Sequence, residues 1–238
     1  PPQVPPAAQI AFRSTQGERV LPGQYTVRLT KAGEVSTAPM TIGLDRRATF
    51  TLADRKAQYD AAEHVKTLFA RMSKLVAQMN AARAQAAKVA ADPNASPAAK
   101  AEAKAFGDKV EALRTQVVAT KEGGAITGEE RLREHMDYAY GAVTSTEQRP
   151  TPYALARVDA LEKELSEVEA AWAALSAQGM GKVNAAAAAM GLPSVDLAEV
   201  EAEDDGARGG DVDALIRGLV GTRFTGQLSA LAAKGEKE

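Results

Sequence analysis

The chain has 238 residues, of which 45% are apolar and 25% are charged, a composition that can bury a core in one large domain or two small ones. Its 29 basic and 31 acidic side chains leave a net charge of −2, so no electrostatic attraction favours nucleic acid as a partner. There is no cysteine, which excludes disulfides, thiol nucleophiles and thiolate metal ligands. The sequence contains no run of about 18 apolar residues, so no membrane-spanning helix is predicted.

Residues 1–52 carry strand signals without a helical period, after a proline-rich start. Tyr25, Val27 and Leu29 alternate with polar residues, which is the period of a half-buried strand, and Gly33 suits the turn of a hairpin. We predict about four short strands, at 9–13, 25–30, 35–44 and 47–52.

A sheet this small has open edges and one thin apolar face. It would either pack on the helices that follow or form the end of an Ig-like sandwich whose other strands lie upstream. We adopt the second interpretation because it also explains the abrupt proline-rich start as the boundary of a fragment.

The longest helical signal follows, from Asp54 to Val89. Apolar residues recur there in steps of three and four, which predicts a long helix packed against other helices, with Asp54 as its N-cap. The predicted seam comprises Val65, Leu68, Met72, Leu75, Met79, Ala82, Ala86 and Val89.

Three further helices are predicted after Ser96-Pro97, over 129–143, and after Thr151-Pro152. The first of them carries a seam of Ala103, Phe106, Val110, Leu113 and Val117. Ser96 and Thr151 are N-cap residues followed by proline at the first helical position. Gly179 and Gly181 are predicted to end the last long helix, before a short alanine-rich helix at 182–190. That long helix carries a heptad of Leu155, Val158, Leu161, Leu165, Val168, Trp172 and Leu175.

The predicted fold class is therefore mainly α, an antiparallel bundle of three to four long helices preceded by a small antiparallel β element. The predicted domains are the β element at 1–52, the bundle at 53–200, an acidic glycine-rich linker at 201–210, and a C-terminal amphipathic helix and tail at 211–238. We expect that last helix to dock on its own bundle, with a partner surface as the alternative.

Candidate chemistry is sparse. His64 and His135 could bind a metal with a neighbouring glutamate, but no HExxH spacing supports this, and ordinary helix-face histidines are the preferred interpretation. Glu162 and Glu169 could act as paired carboxylates on a glycoside, yet they lie a heptad apart on a stripe interpreted as solvent-facing. We predict no catalytic, cofactor-binding or metal-binding residue.

Aromatic residues provide the one candidate interaction patch. Trp172 falls on the heptad seam and is predicted to anchor the core. Tyr138 and Tyr140 lie two residues apart and cannot share one helix face, so one should pack inward while the other faces a loop or a partner. The predicted patch consists of Tyr138, Tyr140 and Arg149.

Several segments together resemble a known family, the large bacterial exported proteins related to sortilin and the BNR-repeat "glycosyl hydrolases". Residues 23–30 and 40–47 are similar to the last strands of the Ig-like module that precedes a helical segment in that family. Other parts of that helical segment are similar to Tyr138–Val143, Arg149–Pro152, Asn184 and Met190–Pro193. The family's propeller and its Asp-box repeats are absent here, so no propeller residue can be carried over.

The resemblance implies a non-catalytic structural or protein-interaction module at the C-terminal end of a larger exported protein. Its partner would be an upstream propeller domain of the same polypeptide or another copy of the chain. One alternative is an accessory part of a glycosidase-like or other hydrolase whose propeller is missing from this chain. A second alternative is a cytoplasmic coiled-coil adaptor.

Overall fold

The computed structural model describes residues 17–120 and 129–201. The strand predicted at 9–13, the loop predicted at 121–128, nearly all of the linker at 201–210 and the helix predicted within 211–238 lie outside the described residues.

The described chain is mainly helical with one small antiparallel sheet, which confirms the predicted fold class. No described helix is both long and apolar enough to cross a membrane. In chain order the elements are β1 (Gly23–Lys31), β2 (Glu34–Ile42), α1 (Leu52–Ala91), α2 (Pro97–Val117), α3 (Leu132–Thr144) and α4 (Pro152–Ala189).

Helix α1 begins with a capping box that moves its N-cap from the predicted Asp54 to Thr51. The Thr51 hydroxyl accepts from the Asp54 amide at 3.2 Å, and the Asp54 carboxylate accepts from the Thr51 amide at 3.0 Å. Two otherwise orphaned backbone donors are thereby satisfied by side chains three residues apart. The prediction was wrong because Asp54 serves as the third helical residue of the box rather than as the cap.

Contacts between side chains fix the direction of each helix. Helices α1 and α4 run in the same direction. His64 of α1 contacts Glu162 of α4, and Gln78, two heptads further along α1, contacts Trp172, which is further along α4. Helix α2 runs opposite to α1 because Arg83 pairs with Glu111 further along α2, while Ala86 lies against the earlier Gly107. At 40 residues, α1 is about 60 Å long, enough for α2 to cover its second half and α3 its first.

The predicted seams of α1 and α2 are buried at every position, which confirms them. In α4 the predicted heptad is wrong at its first residue, because Leu155 is 40% exposed and Ala154 is buried in its place. The buried stripe runs from Ala154 through Val158 and Leu161 in alternating steps of four and three, so Leu155 lies one position off it.

Helix α4 continues through Gly179 and Gly181 to Ala189, so the predicted end and the separate helix at 182–190 are wrong. Gly179 faces Phe106 of α2, and a Cβ built on it would lie 2.2 Å from the ring carbon Cδ2. The glycine therefore permits a close approach of two helices and does not end one.

The helix ends instead at Ala189, and Gly191 follows its C-cap residue Met190. Gly191 has φ +74°, and the amides of Gly191 and Leu192 donate to the carbonyls of Ala188 and Ala187. This is a Schellman motif, which satisfies carbonyls left over at the helix end. The chain then turns back, and both amide atoms of Asn184 pair with the backbone of Val195.

Two of the predicted strands are present within the described residues, and the one predicted at 9–13 lies outside them. Residues 47–52 form no strand, because a turn held by the Asp45–Arg47 pair leads directly to the Thr51 cap. The expected half-burial of β1 is also wrong: Val27 is 47% exposed and Leu29 is 63% exposed. Neither strand packs on a described helix.

Candidate functional site

A cavity of about 540 Å³ lies where α3, the loop after it and the first turns of α4 meet. The apolar part of its lining, here called its floor, comes from Ala139, Ala142 and Val143 of α3 and from Pro150 and Ala154. Its remaining described lining consists of His135, Tyr138, Ser145, Thr146, Gln148, Arg149, Thr151, Tyr153 and Arg157. The cavity is therefore an apolar pocket with polar and cationic groups around it.

Hydrogen bonds hold both ends of the α3–α4 loop in place. Thr151 caps α4 by accepting from the Ala154 amide at 3.2 Å. At the other end of the loop, the side chain of Gln58 donates to the carbonyl of Val143 at 3.0 Å. These contacts fix both ends of the segment that forms the cavity wall.

The charged side chains that line this cavity are cationic. Arg149 donates from Nε to Asp54 Oδ1 at 2.9 Å, while Arg157 makes no ion pair within the described part of the chain. None of the described lining residues carries a carboxylate. The acid of this loop, Glu147, instead pairs with Arg19 at 2.6 Å, outside the lining.

The structure brings together two residues of the predicted patch. Tyr138 and Arg149 both line the cavity, and Tyr138 is 42% exposed. Tyr140 is only 3% exposed and packs edge-on against Phe69, with ring centroids 6.1 Å apart. The two tyrosines thus lie on different sides of α3, as their spacing predicts, and whether the patch binds a partner stays a prediction.

The hydroxyl of Tyr138 is bound to an acid at the mouth of the cavity. It donates to Glu130 Oε1 at 2.7 Å, and this bond raises the pKa of Tyr138 to about 12. Because the phenol donates its hydrogen bond to a carboxylate, ionising the phenol would place two negative charges together. Tyr138 therefore remains a neutral donor at physiological pH.

The two histidines do not meet. His64 Nε2 lies 3.1 Å from Glu162 Oε2 across the α1–α4 interface, whereas His135 stacks edge-on with Tyr138 beside the cavity. No group of three or more potential metal ligands occurs among residues 17–120 and 129–201. Asp45 pairs with Arg47 at 2.8 Å.

The acidic stripe of α4 is only partly the solvated face that its pattern predicts. Arg71 of α1 binds Glu169 through two nitrogens, at 2.7 and 3.1 Å, and binds Glu162 at 2.9 Å. Glu169, and more weakly Glu162, raises the pKa of Arg71. These carboxylates are thus part of an ion-pair network between two helices.

Sequence reasoning missed a buried polar junction at the start of α1. Arg55 is 1% exposed, and its guanidinium donates to Gln58 and to the carbonyls of Arg19 and Val20. The signal was present, because Arg55 and Gln58 extend the apolar seam backward in the same three-four steps. A polar side chain on an apolar seam indicates a buried partner, which here is the segment leading to the hairpin.

Trp172 is a core anchor, as predicted, with 4% of its surface exposed. Its indole Nε1 donates to Gln78 Oε1 at 3.1 Å, and the amide of Gln78 donates in turn to the carbonyl of Leu197. The ring thereby joins α4 and α1 to the returning chain.

No family model, curated protein or solved structure matches this chain. The resemblance to the exported sortilin and BNR-repeat proteins therefore stays a prediction.

Proposed function

We propose that this chain is a non-catalytic protein-interaction module, in which the bundle is a rigid support and the hairpin β1–β2 docks on the β-sheet of a partner domain. The observation that carries the proposal is the exposed apolar face of the hairpin. On that face Val27, Leu29 and Met40 are 47%, 63% and 41% exposed.

The register of the hairpin places these side chains together. Tyr25 pairs with Met40 and Val27 pairs with Ala38, so their side chains share one face, while threonines and Arg28 occupy the other. A two-stranded hairpin with one bare apolar face is marginally stable in water. Covering this face with a second sheet would bury it, as in a sandwich.

The two edges of the hairpin differ. The Lys31–Glu34 pair closes a two-residue turn, so alternate pairs exchange hydrogen bonds and the Thr26–Pro39 pair directs its backbone groups outward. Pro39 has no amide hydrogen, which interrupts the outer edge of β2. The outer edge of β1 carries the amides of Gln24, Thr26, Arg28 and Thr30 and accepts an added strand.

The identity of the partner follows from the resemblance stated above. The hairpin would complete an Ig-like sheet in a larger exported protein, placing the bundle against a propeller of the same polypeptide or against another copy. The hydrolase alternative gains no support from the described helices, since Glu162 and Glu169 are both bound to Arg71.

Photo-cross-linking from the hairpin tests the proposal. The full-length gene product would carry p-benzoylphenylalanine at Leu29, on the apolar face, or at Arg28 as the control on the opposite face. We expect Leu29 to give a product whose cross-linked peptide, mapped by mass spectrometry, belongs to a β-strand. Equal products from both positions, no product, or a peptide from a helix would overturn the proposal.

A further inference from the structure

We propose that the cavity between α3 and α4 binds a small aromatic carboxylate. The proposal does not depend on the hairpin, because no hairpin residue lines this cavity. It rests on the size of the cavity, its apolar floor and the sign of the charges that line it.

The size and floor suit a ring system. A volume of about 540 Å³ lies within the range of about 300–1,000 Å³ typical of small-molecule sites. The floor of alanines, Val143 and Pro150 offers a bound ring contact with apolar groups. Tyr138 and Tyr153 stand at the rim, where Tyr153 is 82% exposed, so a bound ring would cover apolar surface that now faces water.

The charge of the lining favours an anionic group on the ligand. Arg157 is half-buried and has no ion-pair partner within the described residues, and Arg149 uses only Nε on Asp54. A guanidinium presents two parallel N–H groups that match the two oxygens of a carboxylate. No carboxylate is among the described lining residues, while nearby Asp54 pairs with Arg149 and Glu130 accepts from Tyr138, so Arg157 is the arginine that an entering anion would pair with first.

The site is also preorganised. Arg149 is held by Asp54, whose carboxyl has a pKa lowered to about 2, chiefly by the Thr51 amide and hydroxyl and then by Arg149 itself. The Asp54 carboxylate therefore stays charged throughout the physiological range and keeps Arg149 in position. Fixing a binding group before the ligand arrives reduces the ordering cost of binding.

Titration of the full chain with matched probes tests the proposal. The panel comprises aryl carboxylates with one to three rings, each paired with its neutral carboxamide. Binding would be measured by isothermal titration calorimetry and by changes in the NMR chemical shifts of α3 residues. We expect at least one carboxylate to bind with a dissociation constant of about 1 mM or tighter, and its carboxamide to bind at least about tenfold more weakly. Inorganic phosphate serves as an anion without an apolar body and should bind more weakly than the carboxylate.

Two variants locate the binding. Arg157→Gln should weaken the carboxylate at least about tenfold, while Arg28→Gln, which removes an exposed arginine of the hairpin, should leave the affinity unchanged. The proposal is overturned if no carboxylate saturates the chain, if carboxamides or phosphate bind equally well, or if Arg157→Gln binds like the parent. A folded state for Arg157→Gln, checked by circular dichroism, keeps a loss of binding interpretable.

Discussion

The helical bundle and the hairpin follow equally regular apolar patterns, yet only the bundle buries its pattern. Every predicted seam residue of α1 is less than 5% exposed, whereas Leu29 in the middle of the apolar face of β1 is 63% exposed. A helix of the bundle finds neighbours along its whole length within the same chain. The hairpin extends away from the helices and meets no other described strand.

Periodicity therefore identifies which face of an element is apolar and says nothing about what covers it. In the bundle, the long helices supply cover for one another because each repeats a three-four spacing. In the hairpin, cover needs a second sheet, which the described residues do not contain. This difference is the physical reason for assigning support to the bundle and docking to the hairpin.

A large effect is expected where two helices of the bundle approach most closely. Gly179→Ala should lower the free energy of unfolding by about 1–3 kcal/mol, because the added methyl overlaps the Phe106 ring and the helices must move apart. Urea denaturation measures this change. Gly181→Ala is the matched control, since a Cβ there meets nothing within 4 Å, and it should raise stability by about 1 kcal/mol through helix propensity.

The opposite signs of these two substitutions make the test strict. Equal effects of both glycine changes would contradict close contact at Gly179. Adding Phe106→Ala should remove most of the penalty of Gly179→Ala, since the methyl would then enter space left by the ring.

These two glycines also show which features of the fold could be predicted from the sequence and which could not. Gly179 and Gly181 carry the same local signal for ending a helix, and their roles differ only through Phe106, which is more than seventy positions away in the chain. Seams in α1 and α2 were predictable because local spacing alone determines a helix face. The sequence Thr-x-x-Asp, a variant of the capping box, indicates Thr51 as the N-cap. The prediction placed the cap at Asp54, which is the third helical residue of that box.

The cavity was predictable only in part. Tyr138 and Arg149 belong to the predicted patch, and the structure brings them together at the cavity. Arg157 gave no signal, because an arginine on α4 looks like part of any solvated face until the packing of α3 against α4 is known. Tyr140 was included because its spacing does not reveal which of two tyrosines faces inward.

A smaller effect is expected at the junction between the two regions. The folded pKa of Asp54 is about 2, against an ordinary value of 3.8, so its bonds to Thr51 and Arg149 stabilise the folded state above pH 3.8. That stabilisation should be lost as the pH falls from 3.8 toward 2. The measurement is the difference in unfolding free energy between the parent and Asp54→Asn across this range, where asparagine cannot titrate.

The difference between parent and Asp54→Asn should shrink as the solution is acidified. A difference that stays constant across the range would contradict a role for the charged carboxylate, and would leave only the neutral capping bonds of the box.

The smallest expected effect contrasts the two regions directly. Leu29→Ala should change the unfolding free energy of the bundle by less than about 0.5 kcal/mol, because Leu29 is exposed and its strand contacts no described helix. The matched substitution Leu165→Ala removes the same atoms from a side chain that is 0% exposed, and should cost about 2–5 kcal/mol. Both changes in unfolding free energy would be measured by urea denaturation, with the helical circular dichroism signal as the readout. A large loss for Leu29→Ala would mean that the apolar face of the hairpin is already covered within the chain, which would remove the basis for a docking partner.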